Sequence, residues 1–135
     1  MSWLCCALYL WESIFFKSRN TFFISKKEDD AEALCERTHF MFTKLPPFFQ
    51  DFIKVDRKQC FLGFSNRSQI TGAPQGEDQT RSQTLSGLVL DEAVYNERLG
   101  PTIMASIPAI GENGRITLLS SAGPSSFADI VFDRF

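Results

Sequence analysis

Several residue patterns that carry chemistry are scarce or missing in this chain. It has one histidine, His39, and four cysteines, Cys5, Cys6, Cys35 and Cys60, none in a CxxC spacing. A zinc site needs a closely spaced Cys/His ligand set, so zinc does not organise this protein. Cys5, Cys6 and Cys35 lie in apolar stretches and read as small core residues, which points to a reducing, intracellular compartment. Net positive charge is missing too: 14 Lys+Arg stand against 16 Asp+Glu, for a formal charge of −2. The chain as a whole is therefore no electrostatic glove for nucleic acid, which leaves open a local basic patch. No apolar run reaches the ~20 residues of a spanning helix. Residues 1–16 come nearest, but they lack a basic leader and Glu12 interrupts them, so they read as a buried helix and no membrane role is expected. There are no internal repeats and no low-complexity tracts. Nor does the sequence contain a GxxxxGK(S/T) phosphate loop; Gly72-Ala73-Pro74-Gln75-Gly76 has no lysine after it.

What is present suits one packed domain. The 135 residues are 44% hydrophobic, and 14 of them are phenylalanine, ample for one core. Residues 2–16 predict a helix that is apolar on most sides. Asn20 to Ile24 predicts a short buried strand. Ser25-Lys26-Lys27-Glu28 has the spacing of a capping box and predicts a helix start. Ala31, Leu34, Cys35, Thr38, Met41, Phe42 and Leu45 then form one helical face, which Pro46-Pro47 ends. Phe48 to Asp56 reads as a linker with one helical turn. Residues 59–64 and 68–73 flank Ser65-Asn66-Arg67 and predict a hairpin. Residues 74–84 read as a polar loop, and Leu85 to Leu90 as a strand. Tyr95 to Ile110 is expected to be helical in part, within the limits set by Pro101 and Pro108. Glu112-Asn113-Gly114 predicts a turn, Arg115 to Ser120 a strand, and Ser125 to Phe135 a last helix. This order predicts an α/β fold with a mostly parallel sheet, a β-hairpin insertion and helices on both faces.

The chemistry concentrates where the apolar run Leu88-Val89-Leu90 meets Asp91-Glu92. A buried parallel strand delivers such acids to its C-terminal edge, where open α/β sheets place ligands. A carboxylate fixed on a strand end can hold Mg²⁺, and a second beside it can polarise water. The ordinary alternative is a pair of acids opening a loop. Arg81, in the polar stretch before the strand, offers a planar fork to phosphate oxygens or is simply a solvated arginine. Leu118-Leu119-Ser120-Ser121 ends a second buried strand in hydroxyls able to hydrogen-bond a phosphate, or merely enters a turn. Lys26 and Lys27 could reach phosphates but read most simply as exposed lysines of a first helical turn, and His39 is given no role.

Taken in order and spacing, these segments resemble the ATPase domain of the large terminase subunit of tailed bacteriophages, a P-loop NTPase of the ASCE type. The resemblance is carried by Ser2-Trp3-Leu4 with Trp11, by Asn20 to Lys27, by Arg37 with Leu45-Pro46, and by Ser68-Gln69-Ile70 through Ala73-Pro74. Its most specific parts are Arg81-Ser82-Gln83-Thr84 leading into Leu88 to Ala93, and Ile116 to Ser121. It implies Asp91 as the Walker B magnesium acid and Glu92 as the catalytic glutamate. It implies Arg81 as a finger offered to a neighbouring subunit's ATP, and Ser120 and Ser121 as the coupling motif that senses the nucleotide. Ala122-Gly123-Pro124 departs from the family's more usual Ser/Thr-Thr-Pro pattern. Mg²⁺ and ATP are the implied cofactors. Double-stranded DNA, other large subunits in a ring, the small terminase subunit and the portal are the implied partners, and the host cytoplasm is the implied setting. Without a phosphate loop or the family's acidic nuclease cluster, the chain is expected to be a partial ATPase domain over residues 1–135. It is then expected to bind ATP weakly, to cut no DNA and to leave an apolar sheet edge open. Two other readings remain: a non-catalytic remnant that binds a motor subunit, and a piece of a helicase-type P-loop ATPase.

Overall fold

The computed structural model describes residues 1–76, 80 and 83–121. In chain order the elements are α1 (Ser2–Phe15), β1 (Asn20–Ser25), α2 (Glu28–Thr43), α3 (Pro47–Phe52), β2 (Val55–Lys58), β3 (Phe61–Phe64), β4 (Gln69–Pro74), β5 (Leu85–Leu90), α4 (Leu99–Ser106) and β6 (Ile110–Leu118). Short 3₁₀ turns cover Ala93–Tyr95 and Ile107–Ala109. The strands of the described residues form one sheet in the order β2-β3-β4-β1-β5-β6. β4, β1, β5 and β6 run parallel, while β3 is antiparallel to β4 and β2 to β3. The α/β reading with a parallel sheet and a hairpin insertion is what the chain adopts.

Alternation along the central strands divides the core between the two faces. Phe23 and Val89 point to one face, where Cys6, Tyr9, Leu10 and Ile14 of α1 and Leu34, Cys35 and Phe42 of α2 cover them. Phe22, Ile24, Leu88 and Leu90 point to the other, against Leu99 and Ile103 of α4. β1 and β5 are buried along nearly their whole length, as central parallel strands with helices on both faces must be. β6 lies at one edge of this sheet and is only partly buried.

Gly87 and Gly72 permit the close approach of helix to sheet. A Cβ on Gly87 would collide with the Tyr9 ring, and one on Gly72 would meet the Ala31 carbonyl oxygen at 3.0 Å and Cys35 Sγ at 3.1 Å. Tyr9 is fully buried, and its hydroxyl is 2.8 Å from Thr117 Oγ1. Glu12 does not expel α1 from the core. Its carboxylate lies 3.0 Å from Arg115 Nη2 and 4.0 Å from Arg19 Nε, with 8% of the side chain exposed. Asn66, in the β3–β4 turn, donates from Nδ2 to the carbonyls of Ser13, Ile14 and Phe16 and so closes the C-terminal end of α1.

Three local expectations need correction. The capping box at Ser25 does not form. Ser25 ends β1 and is buried, Lys27 is the N-cap, and no side-chain cap bond is made. The helix start rests instead on Glu28, Asp29 and Asp30 in its first turn, acids placed against the positive end of the helix dipole. Phe48 to Asp56 contains the expected helical turn, as α3, but it is not otherwise a linker, since β2 begins at Val55. Glu112-Asn113-Gly114 does not reverse the chain. It lies within β6, where the pairing slips from Leu85↔Ile110 to Gly87↔Arg115, so the turn-forming residues are accommodated as an irregularity in a continuing strand. The helix expected over 125–135 lies outside the described residues.

Candidate active site

Because β1, β5 and β6 are parallel, their C-terminal ends meet at one edge of the sheet. There the chain opens a cavity of about 550 Å³, lined by Ser25 and Lys26 after β1, Asp91 and Glu92 after β5, and Leu119, Ser120 and Ser121 after β6. Asp30, Ala33 and Arg37 of α2 and Met1 and Ser2 at the start of α1 complete it. The structure thus brings Asp91, Glu92, Ser120 and Ser121 together. Arg81 lies outside the described residues. Its neighbour Thr80 is buried, with its hydroxyl 3.1 Å from Ser106 Oγ of α4.

The strand ends are tied to one another by main-chain bonds. Asp91 N–H donates to the Ile24 carbonyl at 2.9 Å, Leu119 N–H to the Leu90 carbonyl at 2.9 Å, and Ala93 N–H to the Leu119 carbonyl at 2.9 Å. The parallel ladder therefore continues past the last apolar residue and fixes where the two acids leave it. Asp91 is half-buried. Burial raises its pKa above the ordinary aspartate value, against the lowering effects of the Glu92 backbone N–H and the Arg37 charge, while Asp30 adds to the rise. Glu92 is exposed and has a left-handed backbone, φ 51° and ψ 45°, at the entry to the 3₁₀ turn. For a residue with a Cβ that conformation costs about 1–2 kcal/mol, the kind of local strain that collects at functional sites.

Ser120 has a more definite job than the sequence offered. Its hydroxyl accepts from Val94 N–H at 3.0 Å and donates to the Ser121 carbonyl at 2.9 Å. Ser120, two residues past the end of β6, thus holds the turn that carries Glu92. Ser120 and Ser121 are both exposed on the cavity side.

Among the described residues no group of three or more His, Cys, Asp or Glu side chains converges as a metal cage. The donor set at the cavity is instead the half-buried Asp91 carboxylate, the Glu92 carboxylate and Asp30 on the α2 wall, beside serine hydroxyls. Hard oxygen donors with few protein carboxylates suit Mg²⁺, which keeps much of its water and takes further ligands from substrate phosphates. Sequence reasoning passed over Arg37 as a site residue and set Lys26 aside as an exposed lysine, although it could reach a phosphate. The only signal for Arg37 is helical spacing: Asp30, Ala33 and Arg37 fall on one stripe of α2.

No protein-family model matches the chain, and no curated protein matches it in sequence. Solved structures do match it in fold. It superposes on the large terminase ATPase domain of Thermus phage P74-26 with a TM-score of 0.70 and 18% identity, over 96% of this chain and 58% of that one. The HK97 bacteriophage large terminase matches with a TM-score of 0.73 and 13% identity, over 97% of this chain and 30% of that one. The large terminase of a thermophilic bacteriophage, solved in complex with ADP, matches with a TM-score of 0.68 and 15% identity, over 100% of this chain and 34% of that one. The chain thus spans little more than half the length of the P74-26 domain and about a third of the other two proteins. Its fold is that of the phage large terminase ATPase domain.

Proposed function

We propose that this chain belongs to the large terminase family and forms the acid-bearing and coupling part of the ATPase domain of a viral DNA-packaging motor. The observation that carries this reading is the convergence of Asp91, Glu92 and Ser120 on one cavity at the carboxyl edge of the parallel strands. In this reading Asp91 holds Mg²⁺ through its waters as the Walker B acid. Bound there, the ion would neutralise charge on the β- and γ-phosphates of ATP. Glu92 orients the attacking water. Ser120 and Ser121 respond to the terminal phosphate, and the Ser120–Val94 bond passes that response to the turn bearing Glu92. Arg81 would serve a neighbouring subunit's ATP in a ring. Double-stranded DNA, the small subunit and the portal are the further partners, and the host cytoplasm is the setting.

The 135 residues include no phosphate loop, so nucleotide affinity is expected to be low and hydrolysis by this chain alone undetectable. Calorimetry with Mg·ATP tests this. The expected result is weak binding that falls further in Asp91→Asn, with no cutting of added DNA. Micromolar binding indifferent to Asp91→Asn, or nuclease activity, would overturn it.

A second reading, a non-catalytic remnant that binds a motor subunit, draws support from a different surface. Trp11, Phe15, Phe16, Phe48 and Phe52 are exposed around α1 and α3. Apolar rings gathered this way suit a protein partner more than water. No dependence of any ligand on Asp91 would favour this reading.

A further inference from the structure

The proposed function assigns acids and hydroxyls to the cavity but no cation from its own chain. A triphosphate carries several negative charges, and one bound Mg²⁺ leaves part of that charge unmatched. The cavity wall supplied by α2 and the end of β1 holds two cations, Arg37 and Lys26, facing the strand ends that bear Asp91 and Ser120. Arg37 is not a loose surface arginine. Its Nη1 donates to Ser2 Oγ at 2.9 Å, and its Cζ stands 5.6 Å from the centre of the Trp3 ring. Stacking on an indole and bonding to a hydroxyl restrict the side chain before any ligand arrives. A guanidinium has five donors, and Ser2 takes up one nitrogen, so the planar fork retains donors for an anion. Lys26 follows Ser25, the buried last residue of β1, and so starts from a fixed strand end.

We propose that Arg37, assisted by Lys26, is a phosphate-contacting residue of this cavity, gripping the polyphosphate of the nucleotide from the α2 side while Asp91 holds its metal from the sheet side. This rests on the nucleotide reading of the site. It differs from the role proposed for Arg81, because Arg37 acts on the site of its own subunit.

Tripolyphosphate is the probe, titrated into the full chain with and without Mg²⁺ by calorimetry and by following the Arg37 side-chain Nε–H signal in NMR spectra. The wild-type signal is expected to shift on titration. Arg37→Gln is expected to weaken tripolyphosphate binding about 10- to 100-fold with or without Mg²⁺, the effect of losing a charged hydrogen-bond donor. Arg37→Lys should recover part of that loss, since charge returns without the fork. Asp91→Asn should remove the enhancement by Mg²⁺ and leave metal-free binding in place. Circular dichroism melts show whether each variant folds, and the wild-type Nε–H shift decides the matter even if Arg37→Gln does not. An unmoved Arg37 signal, or unchanged affinity in a folded Arg37→Gln alongside a lost Mg²⁺ effect in Asp91→Asn, would overturn the inference and leave the proposed function standing. Absence of any tripolyphosphate binding to the wild type would overturn both.

Discussion

At the scale of residues, Asp91 sits half-buried at the end of β5 with its pKa raised by burial above the ordinary aspartate value. Between those two values the unfolded chain has ionised and the folded protein has not, so stability falls as pH rises through that window. Removing the charge should therefore help the fold and harm the site. Asp91→Asn is expected to melt at or above the wild-type temperature while losing Mg²⁺-dependent binding, and thermal melts paired with calorimetry check both halves. Glu92 carries a related conflict in its backbone, and Glu92→Gly should relieve about 1 kcal/mol of left-handed strain in denaturant titrations. The thiols behave oppositely to a reactive site. Burial pushes Cys5 and Cys35 up to about 12 from 9.0. Above pH 9 the unfolded chain loses those protons first, so stability should fall progressively as pH rises from about 9 to 12, and native Cys5 and Cys35 should resist thiol reagents that modify them once the chain is unfolded. The sequence made Asp91 and Glu92 visible because an apolar run cut off by acids is a local pattern. Arg37 was invisible as a site residue, since only the packing of α2 beside β1 and β5 turns it toward the cavity.

At the scale of elements, the strands with strong apolar runs were legible and those defined by pairing were not. β1 and β5 announce themselves as Phe22-Phe23-Ile24 and Leu88-Val89-Leu90, because a strand buried on both faces has little room for polar residues. β2 reads Val55-Asp56-Arg57-Lys58 and is mostly exposed, so it exists as a strand only because β3 offers it a ladder. Its side chains give no periodic signal. Glu32 of α2 fixes this hairpin from above, accepting from Cys60 N–H and from Arg57 Nη2, the latter at 2.9 Å. The helix–sheet seams are where elements are most sensitive. Gly87→Ala would drive a methyl into the buried Tyr9 ring and is expected to cost about 1–3 kcal/mol, read as a lower denaturation midpoint with unchanged slope. Glu12→Ala would strip Arg115 and Arg19 of a buried partner carboxylate. With Arg115 itself 44% exposed, the expected loss is about 2 kcal/mol, below the usual figure for a fully buried pair.

At the scale of the whole molecule, the topology carries the functional argument. Four parallel strands in the order β4-β1-β5-β6, with helices on both faces, bring their carboxyl ends to one side, and every candidate residue described falls there. The likeness to phage terminase ATPase domains extends over nearly the whole chain at identities of 13–18%, so it is borne by architecture and not by shared residues. That is also why the sequence reading depended on the order and spacing of several weak segments together. Each segment taken alone fits any α/β protein.

The central claim is that Asp91 holds a nucleotide-bound divalent cation at this cavity. Mn²⁺ with ATP, at concentrations high enough for weak binding, makes the site directly visible by paramagnetic broadening of backbone amide signals. The account predicts broadening centred on Ser25, Lys26, Asp91, Glu92 and Ser120, clearly weakened in Asp91→Asn and retained in Glu92→Gln. Broadening centred elsewhere on the chain, or unchanged in Asp91→Asn, would contradict it.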